Sequence, residues 1–447
     1  NYEKIINNYP KSSMFNYALY KLGWVYFNLH EFDSAIATFK KVVEQVSKVD
    51  GKGIIEFKNQ AMNDLVVTYA EVDDGWVHAR EYFVKQLPEA DAYKKLRMLG
   101  DLYVAQDKDI YAIQLFRHFI EREKTTPGVV EYYKIILGIY RKTNDWPALD
   151  NTTLEALEFF KPNGTWQTAN RNDSAIIADA NGMCEENLLY IANNYHREAQ
   201  KLNKPDLYKK ASDKYALYLT RFADSEKAYM VNYYYAEILY DQLKDYKAAG
   251  EQYKKVIARD TKGEFVEDAA LGVIYCYEEQ MVAAGLQERA KKGSIEVVKV
   301  DPKKMDAPIP ETPLDPLEID YIQASDKYVE LLSELIKDPE VRKKNPARGE
   351  KIPEIMYIAA QVYYRHGKFQ DAVSRLRVLF EYDSSTKFAA YAVFTLLDCY
   401  QRLQQWPKVE EWARKLIAAK NFTVRSEKDL KKIVAVAMTK QVIPGMT

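Results

Sequence analysis

The spacing Leu22-Gly23-x-x-Tyr26, followed by Phe32-x-x-Ala35-x-x-x-Phe39-x-x-Val42, constrains this chain more than any other stretch. It returns as Leu99-Gly100-x-x-Tyr103, followed by Ala112-x-x-x-Phe116-x-x-Phe119. In both copies the Gly and the later Ala stand twelve residues apart. Apolar residues at i, i+3, i+4 and i+7 make the stripe of an amphipathic helix, and here the stripe occurs twice with a short break. The small residues let the two helices approach closely, and the aromatic after the Ala fills the seam. One such pair cannot bury its apolar face alone, so neighbouring pairs must stack.

Alignment on this spacing gives about nine units across 447 residues, with Tyr26, Tyr69, Tyr103, Tyr140, Tyr195, Tyr240, Tyr275, Tyr363 and Tyr400 at the equivalent position. Ahead of the first unit, Tyr2, Ile5, Tyr9 and Pro10 read as the end of a second helix from a preceding pair, so the sequence reads as a mature or trimmed fragment. Residues 1–160 form an N-terminal array. Residues 161–183, with Pro162 and Gly164 among polar neighbours, form an irregular connector or hinge. Residues 184–425 form a C-terminal array whose seventh unit is split by a Lys/Pro-rich arm at 280–316. Pro302, Pro308, Pro310, Pro313 and Pro316 favour an extended path there, and Ile295 to Val300 suits a short strand. Residues 338–353 read as a shorter charged loop. Within residues 426–447, Ser426 to Lys440 is an amphipathic segment holding Leu430, Ile433, Val434, Val436 and Ala437, the pattern of a capping helix.

Composition narrows the function. Lys and Arg number 64 against 65 Asp and Glu, so the chain lacks the basic excess that phosphate neutralisation requires, and no nucleic acid is expected as partner. Cys184, Cys276 and Cys399 are far apart and fit small buried hydrophobes better than a disulfide framework or a zinc site. No run reaches the roughly 18 apolar residues of a transmembrane helix. Walker, GxGxxG, HExxH and GxSxG patterns are missing, and His30, His78, His118, His196 and His366 are scattered. The expectation is therefore no catalytic residues, no metal and no cofactor. Asn-x-Ser/Thr triplets at Asn151, Asn163, Asn172 and Asn421 are too common by chance to imply glycosylation. Tyr, at 35 residues, is twice as frequent as Phe at 17, which suits half-buried seams where the ring packs and the hydroxyl stays wet.

The pattern L-G-x-x-Y, then A-x-x-x-F, resembles the tetratricopeptide repeat over most of the chain outside the inserts. The resemblance implies an all-α, right-handed superhelical solenoid of about nine helix-turn-helix repeats whose first helices line a concave groove. It also implies which positions face inward. Carried over, these are Tyr17, Tyr20, Trp24, Phe27 and Asn28 in unit one, and Tyr234 and Asp241 in unit six. Unit eight gives Tyr357, Gln361, Tyr364 and Arg365; unit nine gives Tyr391, Phe394, Asp398 and Arg402. Tyrosine and tryptophan supply rigid contact area at low entropic cost, so a protein partner held in a Tyr-rich groove is the leading reading. The same rings could instead pack between adjacent first helices. On the leading reading, removing the Tyr364 and Arg365 side chains weakens partner capture and leaves stability nearly unchanged.

The clamp for acidic C-terminal peptides in some relatives needs Lys and Asn where this chain has Tyr20 and Trp24, then Arg97 and Asp101, which argues against that ligand. The connector Tyr9-Pro10-Lys11-Ser12 leading to Ala18, repeated loosely from Arg221 to Ala228, is similar to the linkers of bacterial envelope repeat scaffolds. It implies a periplasmic or outer-membrane-associated protein. A cytosolic adaptor or assembly factor, and an envelope protein that stacks glycan or peptidoglycan on its tyrosines, are the alternatives.

Overall fold

The computed structural model describes residues 2–47, 52–286, 309–418 and 426–442, and every regular element among the described residues is helical. Two compact units are present, Asn1–Ile191 and Ala192–Thr447.

The first unit opens with the short helix Tyr2–Asn8. Four helix pairs follow: Phe15–Asn28 with Phe32–Val46, Lys52–Tyr69 with Gly75–Gln86, Glu89–Ala105 with Asp109–Arg122, and Val129–Lys142 with Trp146–Phe159. The division between units falls inside the long helix Ser174–Leu202, which pairs with Pro205–Arg221 as the fifth pair. Pair six is Ala228–Ile238, prolonged by the π-helical turn Leu239–Leu243, with Tyr246–Arg259. Pairs seven, eight and nine are Val266–Ala283 with Pro316–Leu335, Ile352–Arg365 with Phe369–Tyr382, and Lys387–Arg402 with Trp406–Ala418. Glu427–Val442 then packs on the last helix, burying Leu430, Val434 and Ala437.

The repeat's key residues meet as their spacing demands. Ala35, Phe39, Val42, Ala112 and Phe116 are fully buried. A Cβ on Gly23 would lie 2.7 Å from the Phe39 ring, and one on Gly100 would lie 2.9 Å from Phe116. Glycine is needed at these two positions because the aromatic of the second helix occupies the space of a side chain.

The turns explain why the helices stop where they do. Most first helices end with one residue in the left-handed region: His30 (φ 61°), Asp107 (56°), Asn144 (56°), Gly367 (65°) and Gln404 (55°). The next residue's N–H then reaches back to the carbonyl of the motif tyrosine. Glu31 donates to Tyr26 (2.9 Å), Lys108 to Tyr103 (2.8 Å), Asp145 to Tyr140 (3.0 Å), Lys368 to Tyr363 (3.0 Å) and Gln405 to Tyr400 (2.9 Å). This is the Schellman arrangement, which satisfies carbonyls that the helix end would otherwise orphan. In pair six the π-helical turn adds a residue, so the Asp245 N–H reaches Leu239 instead (2.9 Å).

Residues 161–183 are not an irregular connector. Thr165–Ala169 is a short helix, and the helix Ser174–Leu202 is under way by residue 174. Trp166, 2% exposed, packs edge-on against Phe160 at 4.7 Å, and its Nε1–H donates to the Thr126 carbonyl at 2.8 Å. The Asn170 side chain donates to the Thr125 carbonyl at 2.9 Å. The Pro and Gly that suggested a break mark only the approach to the short helix, while Trp166 fixes the segment to the fourth pair's entry.

Of the arm, residues 287–308, including the Ile295–Val300 strand expectation, Pro302 and Pro308, lie outside the described residues. Its return does not: residues 309–315 are non-helical, and Pro316 opens a helix whose capping box is built by Asp315 and Glu318. Residues 338–353 contain the short helix Pro339–Lys344 and are tied down by Arg348, whose Nε lies 3.3 Å from the Glu267 carboxylate.

Candidate functional site

Tyr357, Gln361, Tyr364, Asp398 and Arg402 come together, but as a seam between the first helices of pairs eight and nine. The Tyr364 hydroxyl donates to Asp398 Oδ2 at 2.6 Å, and the Arg402 Nε–H donates to the same oxygen at 2.6 Å. The Gln361 amide donates to the Tyr357 hydroxyl at 2.7 Å, and that hydroxyl lies 3.3 Å from Thr395 Oγ1. Tyr364 is 3% exposed and Asp398 2%. Tyr391 is partly buried against Tyr357 at 6.0 Å, and Phe394 is buried. Arg365 alone of this set is exposed. The expectation that Tyr364 can be removed without loss of stability is therefore corrected. The tyrosine's ring fills the core and its hydroxyl holds a buried carboxylate. Burial raises the Tyr364 hydroxyl's pKa first, and hydrogen bonding to Asp398 raises it further.

Pair one divides similarly. Tyr20 is buried against Phe39 at 5.9 Å and Phe57 at 5.2 Å, and accepts a hydrogen bond from the Gln60 amide at 2.9 Å. Trp24 packs on Phe27 at 5.1 Å and Phe39 at 5.9 Å. Both turn toward Asp64 of the next first helix, whose carboxyl is raised by burial and held back by hydrogen bonds from them. Tyr17 is exposed at 47%, with the Lys21 ammonium 5.4 Å from its ring centre; Asn28 is exposed.

Pairs six to eight carry a different surface. Tyr234 is half-buried, 6.0 Å from both His196 and Phe265. Tyr233 stacks flat on Phe265 at 4.4 Å. Carboxylates surround these rings. Glu237 accepts from the Tyr253 hydroxyl, and its carboxyl is pushed up by burial, then by the nearby charges of Asp241 and Asp268. Asp241 and Asp268 are exposed. Glu278 accepts from the Tyr321 hydroxyl at 3.2 Å, and burial, with Glu354 and Glu279 adding to it, pushes its carboxyl up to about 7. Tyr275 is half-buried beside Glu278, Glu354 and Asp268, with Lys351 as the opposing charge. The result is a tyrosine-lined face with crowded carboxylates. Glu237, Asp268, Glu278 and Glu354 were absent from the sequence-derived set, which kept only five positions of each first helix. The available signal was an acidic residue three places from two of the motif tyrosines, Glu237 before Tyr240 and Glu278 after Tyr275.

The raised carboxyl gives a measurable pH dependence. Folding favours protonated Glu278, because its pKa in the fold lies above the ordinary 4.5. That contribution is full below about pH 4.5 and is lost as pH rises through about 7. After allowance for partial exposure, its loss is worth about 2 kcal/mol. Glu278→Gln is expected to flatten the fall in stability between these limits and to be the more stable protein at pH 8, as chemical denaturation across the pH series would register. A variant as pH-sensitive as the parent would assign the dependence to other groups.

Among the described residues, no cluster of three or more His, Cys, Asp or Glu is arranged to hold a metal. All three cysteines are buried and none is in a disulfide among the described residues, and burial raises the Cys276 thiol to about 12, far from a reactive thiolate. No helix among the described residues is long and apolar enough to cross a membrane.

Stacked helix pairs with interlocked aromatic seams define an all-α helical-repeat fold among the described residues. The pairs are tetratricopeptide-like repeats, and residues 17–48, nearly all of the first complete pair, match the tetratricopeptide repeat family model. Similar solved structures include BtubC (BKLC) from P. vanneervenii, 13% identical over 64% of this chain and 91% of that one, with a TM-score of 0.24. A tetratricopeptide repeat protein from Parabacteroides merdae is 12% identical over 81% of this chain and 99% of its own, with a TM-score of 0.22. The apo form of RapI is 10% identical over 96% and 98% respectively, with a TM-score of 0.27. No curated protein matches the chain.

Proposed function

We propose that this protein is a non-catalytic scaffold of a bacterial cell envelope that holds a protein partner on the first-helix face of pairs six to eight. The observation that carries the reading is the crowding of Glu237, Asp268, Glu278 and Glu354 around half-buried Tyr233 and Tyr275, with the Tyr234 ring 6.0 Å from Tyr233. Carboxylates held this close destabilise one another, and a basic partner segment relieves that repulsion while the rings supply contact area. The envelope setting rests on the resemblance of the Tyr9-Pro10-Lys11-Ser12 connector to envelope scaffold linkers.

A photo-crosslinking residue placed at Tyr234, or at Tyr275, is expected to capture the same partner in the native cell. One at exposed Ile110 is not. Asp241→Lys with Asp268→Lys should abolish the adduct without shifting the melting temperature by more than a few degrees, since both residues are exposed. Equal capture from all three positions, or adducts that survive the charge reversal, would remove this face as the binding site. Recovery of the native protein in the cytosolic fraction would transfer the reading to a cytosolic adaptor.

A further inference from the structure

The second helices of pairs six and seven, with Ala270, Val273 and Tyr277 of pair seven's first helix, line a cleft of about 710 Å³ that the first-helix reading does not use. At other junctions, long side chains arch between neighbouring second helices. Arg117 of pair three reaches Glu155 at 2.9 Å and Thr152 at 3.1 Å on pair four. Arg375 of pair eight grips Asp326 of pair seven through two bonds of 2.7 Å. Between pairs six and seven the facing positions are Ala258 and Ala324, and Lys254 is turned toward the Tyr277 hydroxyl (3.1 Å) and Glu251 (2.8 Å). The space an arch would fill is left open over a floor that includes Ile257, Val273 and Leu331.

The rim has a sign. The pair-seven helix lines the cleft with Asp320, Glu330 and Glu334 beside Lys327, and the pair-six helix adds Lys254, which is bonded to Glu251: three carboxylates against two ammoniums, one of them already paired. Glu334 is paired with Lys337, whereas Asp320 and Glu330 make no ion pair among the described residues. The trough runs between two helices and is open to solvent on one side, which suits a chain segment better than an enclosed small molecule. Side chains at i and i+4 of an inserted helix can reach such a floor together, while its flank meets the rim.

We propose that this cleft is a second docking surface, and that its occupant is an amphipathic helix of a partner protein with leucine- or methionine-sized anchors and a lysine- or arginine-rich flank. The acidic edge selects the flank and orients the helix; the small residues Ala258 and Ala324 set the size of the anchors.

The test uses the full chain and two labelled helical peptides, with leucines at i and i+4 and either lysines or glutamates on one flank, followed by fluorescence polarisation. The lysine peptide is expected to bind at least about tenfold more tightly than the glutamate peptide, a difference near 1.4 kcal/mol. Ala324→Phe, which fills the trough, should cost the lysine peptide a similar factor, with circular dichroism confirming the fold. Asp320→Lys with Glu330→Lys alters exposed positions only and should reverse the preference between peptides. Asp241→Lys with Asp268→Lys, on the first-helix face, should leave the affinity unchanged. Equal affinity for the two peptides, indifference to both cleft variants, or loss of binding in the first-helix variant would each overturn the proposal. None of these outcomes depends on whether the first-helix face holds its own partner.

Discussion

Tyr364→Ala is expected to destabilise the second unit by about 3–5 kcal/mol. The ring is almost wholly buried in the core of pairs eight and nine, beside Tyr357, Phe369, Leu397 and Tyr400. Truncation leaves a cavity and also removes the hydroxyl that donates to buried Asp398. Tyr364→Phe separates the two effects: it keeps the ring and removes one bond to a carboxylate, which costs about 1–3 kcal/mol. Denaturant titration followed by amide hydrogen exchange would read both. Protection should fall in Ile352–Arg365, Lys387–Arg402 and the helices packed on them, while residues 2–47 keep theirs. A loss below about 1 kcal/mol for the alanine variant would show that the seam tolerates removal of this residue.

Trp166→Ala should be comparably severe, at about 3–5 kcal/mol. The indole is buried, packs on Phe160 and donates to the Thr126 carbonyl. Its removal empties the socket that holds residues 161–173 against the fourth pair. The first unit should lose stability, and proteases should gain access near Asn163 and Gly164. If these residues were a freely moving link, the substitution would leave the denaturation midpoint in place, and limited proteolysis would cut both proteins alike.

The helix pairs were legible because their determinants are local and repeated. A glycine opposite an aromatic, a buried alanine early in the second helix and a tyrosine in the first helix recur along the chain. The left-handed turn residues were less visible, since His30, Lys244 and Gln404 are not the types that usually mark such turns. The connector was misjudged because proline, glycine and polar residues dominate its composition, whereas a single tryptophan decides its structure. The division of the first-helix face into buried and half-exposed rings was the least legible. A tyrosine buried against the next first helix and one left half-exposed occupy the same side of a helix with a 3.6-residue period. Tyr364 and Tyr234 therefore look alike in sequence. They differ because Asp398, on the following helix, lies where it can accept from Tyr364, and only packing reveals that.

The seventh pair also bears on how the molecule assembles. Most pairs close over a link of a few residues, so each can form quickly and almost independently, as expected for a chain of local contacts. Pair seven must bring Ala283 and Pro316 together across a link roughly ten times longer, an entropic cost of about 2 kcal/mol. The returning chain recovers part of that cost from its neighbour. The Thr312 N–H donates to the His366 carbonyl at 3.0 Å, Lys368 reaches Glu311 at 2.9 Å, and the His366 Nε2 lies 2.9 Å from buried Glu318. These contacts need the turn of pair eight already in place. Pairs seven and eight should consequently form together, late and in a single step, making this the most cooperative stretch of an otherwise modular chain.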